Sequence, residues 1–217
     1  MAFITKKRVV LFSLFILPLI LYILLSTGIN NFAKLPVVKE KVSNISTLEN
    51  AGDITLNQKI SIICFTGFDA KTAKGRLFNI NQKIYKPFYG FKDFQMIAVY
   101  PKEIEKDIQA IKEDLTVFTD MVGWKFIPAS SEEISVFYTS MGVNKDLENF
   151  GSQLAFIIDK ELNLRGRLED KDLEDGKLFG YNMNSVAELN NKMKDDVKIV
   201  LAEYRLALKK NNAKREI

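Results

Sequence analysis

Few side chains in this sequence could carry out chemistry, and the most reactive of them is a single thiol. The 217 residues include one cysteine, Cys64, and no histidine. A lone cysteine cannot form an intramolecular disulfide, and the lack of imidazole excludes Ser-His-Asp and Cys-His catalysis and a histidine pH switch. Cys64 lies in an apolar segment, where cysteine behaves as a small hydrophobic residue. We therefore expect an inert Cys64; the alternative is a reactive thiol exposed on the following turn.

That turn, Thr66-Gly67-Phe68-Asp69, is the second candidate for chemistry. It joins a predicted buried strand to a predicted helix, and open α/β sheets bind ligands at the carboxyl ends of such strands. Helix amino ends attract anions, and Lys71 and Lys74 add positive charge, so an anion or a peptide could bind here. Capping of the helix by Asp69 or Thr66 explains the same residue types, and we favour capping.

Charged residues elsewhere have spacings that do not favour a metal site or a catalytic pair. The acidic segment 169–175 lacks the alternating oxygen ligands and central glycine of a calcium-binding loop, so we predict a solvated loop. Asp159, Lys160 and Glu161 are predicted to open a hairpin turn. The six methionines show no paired spacing for a thioether copper site. The sequence thus predicts no catalytic residue, no metal site and no cofactor.

An aromatic-rich stretch surrounds Gly90 and contains Phe88, Tyr89, Phe91 and Phe94. These rings could pack under the edge of a sheet, or some of them could form an exposed patch that binds a partner. The sequence leaves both interpretations open.

The amino-terminal region predicts where the protein is located. Lys6, Lys7 and Arg8 precede an uncharged apolar run at 9–25, which with its flanks reaches about 20 residues, enough to span a bilayer. A cleaved signal peptide is the alternative, but its apolar core is shorter and ends at a small-x-small site. We expect an uncleaved anchor at 9–28, with residues 1–8 in the cytoplasm and the remainder outside the inner membrane, in the periplasm of a diderm bacterium.

The charge balance argues against nucleic-acid binding. Three of the 31 lysines and arginines precede the apolar run, which leaves 28 cations against 27 acidic residues in the rest of the chain. Nucleic-acid binding needs a clustered basic face, which this near-neutral balance does not indicate.

The pattern of apolar residues predicts an α/β domain over residues 46–217, after a linker at 29–45. The predicted order β-α-β-α-β-α-β-β-α indicates a mixed central sheet flanked by helices. Capping boxes at Ser130/Glu133 and Ser185/Glu188 mark two helix starts, and Pro87 is predicted to end the first helix. The predicted strands are 59–65, 94–100, 124–127, 155–159 and 164–167. The predicted helices are 70–85, 104–118, 131–141 and a final helix after Ser185. The inward face of that final helix is predicted to contain Val186, Leu189, Met193, Val197, Val200, Tyr204 and Leu208.

Four segments in this order resemble the thioredoxin-like fold, and most specifically the Sco/SenC family of membrane-anchored assembly proteins. They are KISIICFTG at 59–67, FQMIAVY at 94–100, GWKFIPASSEEI at 123–134 and AFIIDKELNLRG at 155–166. The last helix, with Asp196 and Glu203-Tyr204, is also similar, as are the anchor and the short linker. The resemblance covers about 45–208.

The family's functional residues are missing from the matching positions. The CxxxC of the family would fall near Phe68 and Thr72, and its copper-binding histidine near Gly151. Redox thioredoxins carry a cis-proline turn beside the same site, where this chain is predicted to form a turn at Gly151-Ser152-Gln153.

The resemblance therefore implies a membrane-tethered, redox-inactive thioredoxin-like protein that binds a partner, in the assembly of a respiratory oxidase or another envelope complex. The implied partner site is the vacant active-site turn: Thr66, Gly67, Phe68, Asp69, Thr72 and Gln153. One alternative is a thiol-dependent redox protein or electron carrier that acts through Cys64. Another is a structural subunit held permanently in an envelope complex.

Overall fold

The computed structural model describes residues 5–27 and 34–213, which fall into two separate compact units. The first unit contains one helix, α1 (Lys6–Thr27). Over Lys6–Leu24 this helix is long and apolar enough to cross a membrane. The end of the predicted span at residue 28 and the predicted linker residues 29–33 lie outside the described residues.

A mixed sheet of seven strands forms the centre of the second unit. The strand order is β1-β6-β5-β2-β3-β4, and β7 also pairs with β5. Strands β2, β3 and β4 run parallel, and β5 runs antiparallel to β2. The strands are β1 (Val37–Lys39), β2 (Ile60–Thr66), β3 (Phe94–Pro101), β4 (Trp124–Ala129), β5 (Gly151–Ile158), β6 (Leu164–Arg165) and β7 (Tyr181–Asn182).

Helices cover both faces of the sheet, so the unit has two hydrophobic cores. Because side chains alternate along a strand, Ile62 and Cys64 of β2 face one core, while Ile63 and Phe65 face the other. All seven residues of β2 are buried, as expected for a central strand. The helices are α2 (Ala70–Ile80), α3 (Lys86–Phe88), α4 (Glu105–Thr116), α5 (Ser131–Ser140), α6 (Val186–Glu188) and α7 (Lys194–Ala213).

The predicted fold class, a thioredoxin-like mixed sheet flanked by helices, is confirmed, but the start of the folded unit lies earlier than predicted. Residues 34–45 were assigned to the linker, whereas β1 pairs with β6, and Leu35, Val42 and Ile45 are buried. The reason is that β1 completes one edge of the sheet. The folded unit therefore begins at Lys34.

The helix predicted to end before Pro87 instead continues through it. A π-helical turn (Asn81–Tyr85) follows α2 and leads directly into α3, with Lys86 in the right-handed helical region. This conformation is disfavoured before proline, but buried Tyr85 and Phe88 on either side hold the segment against the core. Proline itself has no backbone N–H to leave unpaired.

The two predicted capping boxes have different outcomes. Ser130 and Glu133 form the complete reciprocal box at the start of α5. Ser185 accepts a hydrogen bond from the backbone N–H of Glu188, but the Glu188 carboxylate accepts from the N–H of Asn182 instead. The final helix also contains a π-helical turn (Leu189–Met193). Val186, predicted to be inward-facing, is 44% exposed, because it lies in the first turn before the helix reaches the core.

Candidate functional site

The turn between β2 and α2 is a helix cap. Asp69 accepts hydrogen bonds from the backbone N–H of Thr72 (3.1 Å) and from its hydroxyl (2.5 Å). The hydroxyl bond from Thr72, followed by the backbone bond, lowers the pKa of the Asp69 carboxyl. Thr66 takes no part in the cap, because its hydroxyl donates to the carbonyl oxygen of Gly67 (3.1 Å). Of the two predicted capping residues, Asp69 is therefore the one that caps.

Strand β5 closes one side of this turn. Gly151 pairs with Thr66 at the start of β5, so the predicted turn at Gly151-Ser152-Gln153 is wrong: these residues belong to the strand. Gly67 has a φ of +67°, and a Cβ built on it would lie 2.8 Å from the carbonyl oxygen of Asn149. The described residues contain no cis peptide bond. The space beside the turn is thus filled by closely packed backbone.

A second tight turn, Asn149-Phe150, meets the first one. Glu148 and Gly151 exchange two backbone hydrogen bonds of 2.9 Å around it. Asn149 and Phe150 have φ values of +48° and +60°, the pattern of a type I′ turn, which normally carries glycine in one position. A bulky residue with positive φ is a conformational outlier. Phe150 is therefore held in a strained backbone conformation.

The two turns present a pair of aromatic rings at the carboxyl end of β2. The Phe68 and Phe150 rings meet edge to face, with 5.9 Å between centroids. The backbone N–H of Phe68 also donates to the carbonyl oxygen of Asn149 (3.2 Å). Phe68 remains 38% exposed. Phe68 was among the predicted site residues, but Phe150 was not, because Asn149-Phe150 contains no glycine to indicate a tight turn.

Cys64 lies inside β2 and not on the turn that follows it. It lies between Ala98 of β3 and Ala155 of β5, and is fully buried. Burial raises the pKa of its thiol far above the ordinary value. A thiolate is therefore strongly disfavoured in the folded protein.

The remaining predicted site residues are distributed around the turn. Gln153 lies further along β5, half-buried, and its carbonyl oxygen accepts from the N–H of Met183 (2.8 Å). Lys74 forms an ion pair with Asp114 (2.5 Å), and Lys71 is exposed. The structure thus brings Thr66, Gly67, Phe68, Asp69 and Thr72 together, and adds Phe150, but places Gln153 outside this group.

The acidic segment differs from the predicted solvated loop at one residue. Asp170 is buried and accepts from the Lys192 ammonium (2.7 Å), with Arg167 3.6 Å away. Burial alone would raise the pKa of Asp170, but the hydrogen bond from Lys192 and other interactions lower it. These cations explain why the carboxylate can be buried. No group of three or more potential metal ligands exists within 5–27 and 34–213.

The predicted hairpin turn at Asp159 also contains a buried ion pair. Asp159 accepts from the backbone N–H groups of Glu161 and Asn163, as a turn residue does. It is fully buried and binds Arg165 at 2.9 Å, and Arg165 contacts Glu203 of α7 at 2.6 Å. These three charges stabilise the packing of α7 on the hairpin.

The aromatic stretch divides into buried and exposed rings. Phe88 and Phe94 are each 5% exposed and pack in the core, whereas Tyr89 and Phe91 are 56% and 41% exposed. Two of the four rings therefore pack in the core and two are exposed, while partner binding by the exposed rings stays a prediction.

The strand order, the flanking helices and the position of the turn define a thioredoxin-like fold. No family model matches this chain, and no curated protein sequence matches it. Among solved structures it is similar to BsSco, a member of the Sco family of cytochrome c oxidase assembly proteins, with 14% identity, a TM-score of 0.52, and coverage of 77% of this chain and 98% of that one.

A second similar structure is a candidate protein disulfide isomerase from Bacteroides thetaiotaomicron. It shares 12% identity and a TM-score of 0.50, over 78% of this chain and 95% of that one. The resemblance to thioredoxin-like and Sco proteins predicted from the sequence is thus confirmed in the fold.

Proposed function

We propose that this protein is a membrane-anchored, redox-inactive thioredoxin-like protein that binds a protein partner in the cell envelope. The long apolar helix α1 supports the anchor. The cations at residues 6–8 favour a cytoplasmic amino terminus, with the folded unit outside the inner membrane. The observation that carries the binding role is the aromatic pair Phe68–Phe150 at the ligand-binding edge of the sheet.

This pair has the properties of an interaction site. Aromatic residues are enriched among those that contribute most to protein–protein binding, and Phe68 is substantially exposed. Its ring rests on Phe150, whose positive φ is the kind of backbone strain that concentrates at functional sites. The two packed turns, one at Phe68 and one at Asn149-Phe150, fix both rings, so little conformational entropy would be lost on binding.

A polypeptide partner suits this edge better than an anion. Asp69 already accepts the hydrogen bonds from Thr72 at the start of α2, so an anion would meet a carboxylate there. Lys74 is neutralised by Asp114. The exposed Phe68 ring therefore offers an apolar contact beside strand ends, with exposed Asp69, Lys71 and Thr72 around it.

The proposed partner is a subunit of a respiratory oxidase, or of another envelope complex during assembly. The structural similarity to BsSco, from a family of cytochrome c oxidase assembly proteins, supports this class. Phe68 and Thr72 occupy the positions where the resemblance expects cysteines, so binding would proceed without thiol exchange. The alternative, redox chemistry through Cys64, requires an exposed thiol, and the burial of Cys64 counts against it.

Co-purification tests the proposal. Full-length tagged protein is isolated from gently solubilised membranes, and associated proteins are quantified by mass spectrometry for the wild type and for Phe68→Ala. We expect oxidase subunits or other envelope assembly proteins with the wild type, and a loss of about tenfold or more with Phe68→Ala, as for a central aromatic contact. Phe118→Ala, which removes an exposed ring outside both proposed binding surfaces, is the matched control and should retain the partner.

Two results would contradict the proposal. The first is recovery of the wild type alone under conditions that keep other membrane complexes intact. The second is an equal loss of partner in Phe68→Ala and Phe118→Ala. A redox role would instead be indicated by loss of the partner both in Cys64→Ala and in the wild type under reducing conditions.

A further inference from the structure

A second exposed surface lies at the amino-terminal ends of the parallel strands, opposite the turn between β2 and α2. Lys59 precedes β2, the segment 89–92 precedes β3, and Val122 precedes β4, so these loops converge. We name this surface the basic-aromatic face and define it by the residues Lys59, Tyr89, Phe91, Lys92, Val122 and Lys125. Two cavities of about 450 and 290 Å³ open on it, and both are lined by Gly90, Phe91 and Lys92.

The apolar side chains of this face are held outwards by buried rings. Tyr89 packs on Tyr85, with 6.0 Å between centroids, and Phe91 packs on Phe88 at 6.3 Å. Tyr85 is fixed in turn, because its hydroxyl donates to the carbonyl oxygen of Asp120 (2.7 Å). Val122 is 76% exposed on the same side. The apolar groups are thus presented to solvent by a rigid base.

Positive charge is concentrated around these rings. Five cations but only two carboxylates line the two cavities: Lys59, Lys92, Lys125, Lys160 and Arg205 against Asp93 and Asp120. Asp93 is paired with Lys160 (2.6 Å) and Lys59 (3.7 Å). Within the described residues, no carboxylate forms an ion pair with Lys92, Lys125 or Arg205. The rest of the chain after the amino-terminal cations is close to neutral, so this excess is local.

We propose that the basic-aromatic face docks on the anionic lipid surface of the membrane that anchors the protein. Exposed aromatic rings beside lysines match the interfacial layer, where rings insert at headgroup level and ammonium groups bind anionic headgroups. Lysine stems can also lie along apolar surface while their charges reach the headgroups. Because the inference rests on the proposed membrane anchor, the lipid is always close, and a weak affinity is sufficient.

Site-directed fluorescence in lipid nanodiscs tests this inference on the full-length chain. A Cβ at Gly90, on the face, or at Gly75, on α2, would meet no atom within 4 Å. Gly90→Cys and Gly75→Cys therefore accept a fluorophore, while buried Cys64 stays unlabelled. Quenching by nitroxide-headgroup lipid is compared between zwitterionic discs and discs that contain anionic phosphatidylglycerol.

We expect anionic lipid to increase quenching at position 90 and to leave position 75 unchanged. Lys92→Glu in the Gly90→Cys background should lower the docking equilibrium at least about fivefold, the contribution of one cation near an anionic surface. Lys106→Glu on α4, an exposed lysine that makes the same change of charge, should have no effect.

Equal quenching at both positions in discs that retain the protein would overturn the docking inference and leave the anchor intact. Failure of the wild type to remain in the discs would remove the proposed anchor, and the docking inference with it. Quenching at position 90 that is insensitive to lipid charge and to Lys92→Glu would also contradict the inference.

Discussion

A Cβ built on Gly67 would lie 2.8 Å from the Cα of Gly151, and a Cβ built on Gly151 would lie 2.9 Å from the Cα of Gly67. Two segments more than 80 residues apart thus meet with no room for a side chain on either. This approach sets the Asn149-Phe150 turn against the start of α2 and brings Phe150 onto Phe68. The aromatic pair at the proposed binding site therefore depends on a glycine contact within the sheet.

Substitution of Gly67 tests this contact. Gly67→Ala should destabilise the folded unit by more than about 1–2 kcal/mol, because the left-handed φ alone costs that much and the Cβ adds a clash. Gly75→Ala is the matched control: it lies in α2 with open space, and should raise stability by about 0.5–1 kcal/mol. Denaturant unfolding in detergent, followed by the fluorescence of buried Trp124, measures both. Equal stabilities for the two variants would refute the close packing.

Removal of the buried arginine should have a large effect. Arg165 binds fully buried Asp159 and also donates to the carbonyl oxygen of Leu35 (2.8 Å). Arg165→Ala leaves Asp159 without its cation, at an expected cost of about 3–5 kcal/mol. The control, Lys198→Ala, breaks an exposed pair with Asp195 and should cost less than about 0.5 kcal/mol. If the same measurement gives similar losses in the free energy of unfolding for both variants, the predicted contribution of the Arg165–Asp159 ion pair is wrong.

The capping box of α5 makes stability depend on pH. The pKa of Glu133 is lowered because the backbone N–H groups of Glu49 and Ser130 donate to its carboxylate, with burial opposing them. A lowered folded pKa gives stability that is fully present above the unfolded value of about 4.3 and is lost as the pH falls through the folded value. Glu133→Gln should therefore destabilise the protein more at pH 7 than at pH 3.

The neighbouring residue supplies the comparison for this pH effect. Glu132 is exposed, and its side chain forms no hydrogen bond within the described residues, so Glu132→Gln should give the same small change at both pH values. Urea unfolding at pH 7 and at pH 3 measures how much each variant differs from the wild type in its free energy of unfolding. A destabilisation by Glu133→Gln that does not vary with pH would mean that the carboxylate bonds to Glu49 and Ser130 are unimportant.

The buried thiol predicts slow labelling. Because Cys64 is fully buried and its pKa is raised by burial, the native protein should react with a thiol reagent only when the folded unit opens. Its labelling rate should therefore rise sharply across the denaturant transition, and Cys64→Ala should leave partner recovery unchanged. Rapid modification of the native protein would overturn the inert assignment and restore the redox alternative.

Local patterns in the sequence were sufficient to predict the centre of the fold. The apolar run of β2 and the Ser130/Glu133 capping box both depend on neighbouring residues, and both are confirmed. Strand β1 was missed because three residues carry no periodicity, and its pairing partner β6 lies about 125 residues away. The burial of Asp170 likewise depends on Lys192, a later residue in a different element.

Five of the six residues of the candidate site could be predicted in the same way. Thr66 to Thr72 lie between a buried strand and a helix, so their place at the sheet edge follows from sequence order. Phe150 could not be found, because its contact with Phe68 spans the sheet and its turn contains no glycine. The two π-helical turns were also missed, since each forms where buried side chains must stay in contact with the core.

Photo-crosslinking from position 68 tests the central claim most directly. A photoreactive phenylalanine analogue replaces Phe68 in the full-length protein in living cells, and a second variant carries it at Val136, an exposed position on α5. We predict a crosslink from position 68 to an oxidase subunit or another envelope assembly protein, and none from position 136. No crosslink from position 68, or the same products from both positions, would contradict partner binding at the Phe68–Phe150 pair.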